Sequence, residues 1–105
     1  MTMITEVMEK LKGKIEELFA TQEVSIDAAE KYLTGAVNDT ICELLGIYYE
    51  ACDQAIYGDK KGRKEEGLSL VRHGDRRHVE TAFGGVDFKR DYYRKADGIY
   101  CYPTD

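Results

Sequence analysis

The hydrophobic positions change period once along the chain of 105 residues. At the N-terminus Ile4, Val7, Met8, Leu11, Ile15, Leu18 and Phe19 recur mostly at steps of three and four with charged residues between them. That spacing predicts an amphipathic helix of about four turns, which Gly13 weakens without breaking. After "TQEV", Ser25 is a suitable N-cap, and Asp27 and Glu30 place negative charge where the helix dipole favours it. A second helical series follows: Ile26, Ala29, Leu33, Val37, Ile41, Leu44, Ile47, Tyr48, Ala51 and Ala55, up to Gly58, a natural C′ residue. At the helical rise this second helix extends roughly 48 Å. An antiparallel first helix covers about half of it, so the stripe from Ile41 to Ile56 needs the sheet or a second chain. Gly35 and Gly46 admit a kink.

From Leu68 onward the period becomes two. Gly74-Asp75, Gly84-Gly85 and Asp97-Gly98 separate the runs, each suited to a two-residue hairpin connection. The predicted fold is α+β: two N-terminal helices, the second long, followed by a four-stranded antiparallel β-meander. The predicted organisation is a helical segment over 1–58, a charged linker loop over 59–67 ("DKKGRKEEG") and the meander over 68–105, all one domain. A Gly84-Gly85 turn sets Phe83 opposite Val86, Thr81 opposite Phe88, Val79 opposite Arg90 and His78 opposite Asp91. The first turn sets Leu68 opposite Thr81, Leu70 opposite Val79 and Arg72 opposite Arg77. One face then collects Leu68, Leu70, Val79, Phe83, Val86 and Phe88, and a one-residue slip destroys the pattern.

Charge divides the chain along the same line. The net charge is −5, which argues against a free-standing nucleic-acid binder. Residues 1–58 hold 11 acidic and 4 basic side chains, net −7; residues 59–105 hold 9 and 11, net +2. Cys42, Cys52 and Cys101 are odd in number and at no metal-ligand spacing, and no apolar signal segment accompanies them, which points to a reducing, cytoplasmic setting. No apolar run approaches the roughly 18 residues of a membrane span.

The candidate chemistry lies in the meander. Beyond its apolar part, one face carries Arg72, Arg77, Arg90 and Arg94 around Tyr92. Guanidinium groups with an aromatic suit a phosphate backbone, or else pair with Glu43, Glu50 or Asp53 on the second helix. The opposite face gathers Tyr93, Tyr100 and Tyr102 beside Lys89 and Lys95. These either stack bases or simply stabilise an exposed sheet face. Lys60, Lys61, Arg63 and Lys64 read as a solvated linker or as phosphate contacts. His73 and His78 fall on different faces, and Asp91 opposite His78 suggests a surface ion pair. No phosphate-cradling glycine loop, no Ser/His/Asp set and no metal-ligand set is present, so neither an enzyme nor a cofactor, metal or small-molecule substrate is expected.

The segment "GDRRHVETAFGGVDFKRDYYRKADGIYCYPTD" resembles the N-terminal region of a group of bacterial insertion-sequence transposases, an uncharacterised, transposase-like protein family. Phe83, Gly84, Val86, Phe88, Lys89, Arg90, Tyr92, Tyr93, Arg94, Gly98, Tyr102 and Asp105 carry the likeness, with Gly85 where the family has an acidic residue. The match covers about the last 35 residues; the helical part agrees in character. The resemblance implies a DNA-recombination role in transposition: a non-catalytic N-terminal domain contributing transposon-end DNA contact and assembly. The DNA-binding residues expected, from the two faces together with the resemblance, are Arg72, Arg77, Lys89, Arg90, Tyr92, Tyr93, Arg94 and Lys95. The uncovered stripe from Ile41 to Ile56 predicts a homo-oligomer, a dimer in the first instance, or at least the second helix seated against the sheet. The family's metal-dependent catalytic domain is expected to be missing, the chain being a truncated piece or a gene remnant. The competing expectation is an oligomerisation module without a DNA role, which the acidic helices favour.

Overall fold

The computed structural model describes residues 3–21 and 25–104. Residues 1–2, residues 22–24 of the "TQEV" connection and Asp105 lie outside the described residues. Helices come first and an antiparallel sheet follows: α1 (Met3–Ala20), α2 (Ile26–Gly58), α3 (Lys60–Glu65), β1 (Ser69–Thr81), β2 (Gly84–Arg94) and β3 (Tyr100–Cys101). Ser25 caps α2 as expected, its hydroxyl accepting the Ala28 N–H at 3.2 Å.

Several expectations are corrected. Residues 59–67 are not a loop, because the Asp59 carboxylate accepts the Gly62 N–H at 3.0 Å and caps α3. The second helix ends at Gly58 as expected, though without a left-handed backbone there, and α3 stops at Gly67. Gly67 has φ +72°, and Leu68 and Gly67 donate to Arg63 O and Lys64 O at 2.8 and 3.2 Å, the paired bonds of a Schellman ending.

The sheet has three strands in the order β1-β2-β3, not four. Gly74-Asp75 makes no turn, and β1 runs through it. Gly74 adopts φ +78°, and its N–H goes to the Asp91 carboxylate at 2.9 Å. A left-handed glycine inside a strand marks a local irregularity, which the side chain of β2 satisfies.

The β1–β2 turn sits at Ala82-Phe83, two residues before the expected glycines. The Thr81 hydroxyl accepts the Phe83 N–H at 3.1 Å and donates to Gly84 O at 2.9 Å, supplying the turn chemistry that the glycines were expected to provide. His78 therefore meets Asp87 at 2.7 Å rather than Asp91. Residues 95–99 separate β2 from β3, and because the Lys95 N–H bonds to Ile99 O at 2.7 Å the turn proper is 96–98, three residues rather than two, which pairs Tyr93 with Cys101 and Arg94 with Tyr100. That slip by one changes which tyrosines share a face.

The chain divides into two compact units, residues 1–45 with 80–86, and residues 46–79 with 87–105. In the first, α1 and the N-terminal part of α2 form an antiparallel hairpin. Lys10 reaches Glu43 at 3.2 Å, Lys14 reaches Asp39 at 3.7 Å, and the Tyr32 hydroxyl donates to Glu17 at 3.1 Å. Val7, Ala36, Thr40 and Val86 are buried there, the Thr40 hydroxyl donating back to Ala36 O at 2.8 Å. In the second unit the C-terminal part of α2 lies against β2, with Tyr49 and Phe88 rings 5.0 Å apart. The apolar face expected of the meander is only partly realised. Val86 and Phe88 are buried, whereas Leu70 and Phe83 are exposed and Leu68 and Val79 half-buried.

Candidate nucleic-acid interface

The candidate surface belongs to the second unit and begins at the edge of β2. Glu50 and Asp53, three apart on α2, project from one helical face. Their carboxylates accept the backbone N–H groups of Lys89 and Asp91 at 2.8 Å each. The helix thus satisfies strand donors that no neighbouring strand takes. Glu43 meanwhile accepts from Lys10. The three carboxylates proposed above as arginine partners are each bonded elsewhere.

The arginines on β1 and β2 diverge in their surroundings. Arg72 donates through Nε to Asp75 Oδ2 at 3.0 Å and lies 4.4 Å from the Tyr92 ring; Arg90 lies 3.6 Å from the Tyr102 ring. Tyr92 in turn stacks on Tyr100 at 5.4 Å and 15°, and meets Tyr102 at 4.7 Å. The Tyr102 hydroxyl donates to Asp75 Oδ2 at 2.9 Å. Cation, ring and carboxylate stabilise one another here. The Tyr102 hydrogen bond, and after it Arg72, hold the Asp75 carboxyl below its ordinary value.

A second group remains turned to solvent. Arg76, Arg77, His78 and Lys89 line a cleft of about 520 Å³ with Glu50, Asp87 and Phe88. Strand alternation puts Arg77 and Arg76 on opposite sides of β1, yet both residues line the cleft. Among the described residues, neither arginine nor the Lys89 ammonium has a carboxylate within ion-pair distance. Three such cations beside Phe88, with Glu50 bonded to backbone and Asp87 to His78, leave the cleft able to take up an anionic oxygen. Arg94 and Lys95 are exposed at the start of the 96–98 turn.

Behind the surface lies a buried acid pair. Asp53 and Asp91 are 4% and 2% exposed. Asp91 Oδ1 accepts the Gly74 N–H and lies 2.8 Å from His73 Nδ1, while Asp53 Oδ1 accepts from Thr104 at 3.4 Å. Burial first, and then the Asp91 charge, push the Asp53 carboxyl up. Among the described residues no cluster of three or more His, Cys, Asp or Glu side chains is arranged to hold a metal ion.

Of the eight residues singled out in the sequence, Tyr93 is corrected most firmly. It is fully buried, so it cannot stack a base, and burial raises its hydroxyl pKa. The slip at the 96–98 turn gives its expected place beside Tyr100 and Tyr102 to Tyr92. Arg72, Arg90 and Tyr92 enter the stacked cluster, Arg77 and Lys89 enter the cleft, and Arg94 and Lys95 stand apart. Arg63, read as a linker cation, donates to Tyr57 O at 2.8 Å and packs over Tyr57 at 5.4 Å, anchoring α3. The sequence reading missed Arg76, and it also missed Asp53 and Asp91 as a buried pair. The three-residue spacing of Glu50 and Asp53 on an otherwise apolar helical face was the available signal.

Among the described residues no helix is long and apolar enough to cross a membrane. No protein-family model matches the chain, and neither does any curated protein or solved structure.

Proposed function

We propose that the chain is the non-catalytic N-terminal domain of a transposase, and that its second unit contacts the phosphate backbone of transposon-end DNA through Arg76, Arg77 and Lys89. The observation that carries this reading is the cleft itself, in which three exposed cations have no carboxylate partner among the described residues while the nearby Glu50 is bonded to backbone. The resemblance over the last 35 or so residues supplies the kind of nucleic acid. Arg72 and Arg90 act in this reading as supports, holding the tyrosine cluster beside the cleft. Tyr93 has no part in it.

The acidic helical half repels a duplex, so binding is local and modest. Each phosphate neutralised contributes about −0.9 to the slope of log K against log salt, so three contacts give roughly −3. Titrating transposon-end duplex at low salt measures this. Arg76→Ala with Arg77→Ala flattens the slope by about two units and leaves stability unchanged. Absence of binding at low salt, or a slope indifferent to both substitutions, overturns the DNA role and leaves the assembly reading.

A further inference from the structure

The helical hairpin of the first unit carries an apolar flank that nothing in the chain's own chemistry explains. Lys10 and Lys14, reaching Glu43 and Asp39, define the side of α1 that faces α2, and Val7, on that same side, is the helix's only buried residue. Roughly a quarter-turn away, at 100° per residue, runs a second row: Ile4, Met8, Ile15 and Phe19. Phe19 is 75% exposed and Ile4 53%. On α2 the corresponding row is Ile26, Leu33 and Val37, of which Ile26 is 86% exposed. Because the two helices run in opposite directions, equal rotations away from their contact bring both rows to the same side of the hairpin. The result is one continuous apolar face across two helices.

We infer that this face is the contact between two copies of the chain, joined about a two-fold axis into a four-helix arrangement. Three observations select a second copy over other occupants. A two-helix layer has a hydrophobic core only once a second layer covers it, and here a single residue of α1 is buried. An isologous contact requires a surface that complements itself. The α1 row meets that requirement, since its spacings of four, seven and four read the same in both directions. Antiparallel copies of α1 centred between Leu11 and Lys12 set Ile4 against the partner's Phe19 and Met8 against the partner's Ile15. The size also fits: two helices about 10 Å wide and 27 Å long offer roughly 500 Å² in projection. With side-chain relief this approaches the roughly 800 Å² per partner of a standard interface. A membrane is disfavoured, because residues 1–58 carry a net charge of −7 against anionic lipid.

This contact is separate from the DNA cleft and is read without DNA. Sedimentation equilibrium over about 1–300 µM should show a dimer. Met8→Glu with Phe19→Glu should weaken it at least 30-fold while helix content stays unchanged, since both side chains are exposed. The melting temperature should match the parent's only at concentrations where both are monomeric, because dimerisation itself stabilises the fold. Orientation is tested by mixing Met8→Cys chains with Ile15→Cys chains under mild oxidation. The mixture should cross-link several-fold more than either chain alone, because the antiparallel register juxtaposes positions 8 and 15. A monomer throughout the range overturns the inference. So does a dimer indifferent to the glutamate substitutions, or one captured equally by each cysteine chain alone. Binding of the monomeric chain to anionic vesicles would reassign the face to a lipid surface.

Discussion

Phe88 and Asp53 show how differently two buried side chains of the second unit bear on stability. Phe88, packed against Tyr49, is 8% exposed, and Phe88→Ala should cost about 3–5 kcal/mol in urea unfolding. Asp53 acts through its proton. A carboxyl whose folded pKa is raised binds its proton more tightly in the folded state. Its contribution to stability is therefore greatest at or below the ordinary carboxyl value near 4, declines as pH rises through the folded value, and is constant above it. Asp53→Asn keeps the neutral form while an amide oxygen still accepts the Asp91 N–H. The variant should gain stability over the parent at pH 7 and lose that advantage toward pH 4, as followed by urea midpoints across the range. Parallel curves would mean that Asp53 does not ionise there. Asp75 works in the opposite direction: held low by Tyr102 and Arg72, it stabilises above the ordinary carboxyl value and ceases to do so as pH falls through its folded value. Neither role was legible in the sequence, where an aspartate in a strand of alternating polarity reads as solvent-facing. What gives the buried pair away is the parity change along β2. Val86 and Phe88 are buried at even positions, Asp91 and Tyr93 at odd ones.

Among the elements, the two long helices were legible because helical periodicity persisted over many turns, and the period-two region announced a sheet for the same reason. Strand β1 was not. Its buried contacts are few, so "RHGDRR" carries no inward apolar rhythm and looks like a turn; the Gly74 N–H is instead satisfied by Asp91, a residue far away in sequence. The same blindness hid the short helix α3 and its stop at Gly67, while the second helix does end at Gly58. Gly58 lies within helical geometry with open space around its Cα, whereas Gly67 holds φ +72° and a Cβ there would meet that of Ala96 at 2.7 Å. The two glycines should respond oppositely to alanine. Gly58→Ala should stabilise by about 0.5–1 kcal/mol through helix propensity. Gly67→Ala should destabilise by at least about 1–2 kcal/mol through the left-handed backbone alone. Thermal melts of the two variants check both signs, and a stabilising Gly67→Ala would remove the Schellman ending from the account.

For the whole molecule, the division of charge sets the two proposed interactions against each other in salt. Each copy carries a net charge of −5, so two copies approaching through apolar faces repel at long range. Added salt screens that repulsion, over about 10 Å at 0.1 M, while leaving the buried apolar contact intact. Self-association should therefore tighten when salt is raised from 50 to 200 mM. DNA contact should do the reverse. A slope near −3 over that fourfold change in salt weakens duplex binding by roughly 40-fold or more, because counterions released from the phosphates must be returned against a higher concentration. Sedimentation of the free chain and DNA titration in the same buffers give the two trends side by side. If both interactions weaken together, the dimer contact is electrostatic and does not lie on the apolar hairpin face. If neither responds to salt, the cations of the cleft do not touch phosphate. Opposite trends, with Met8→Glu and Phe19→Glu abolishing only the first and Arg76→Ala and Arg77→Ala flattening only the second, would assign assembly to the acidic helical hairpin and DNA contact to the basic cleft of the second unit.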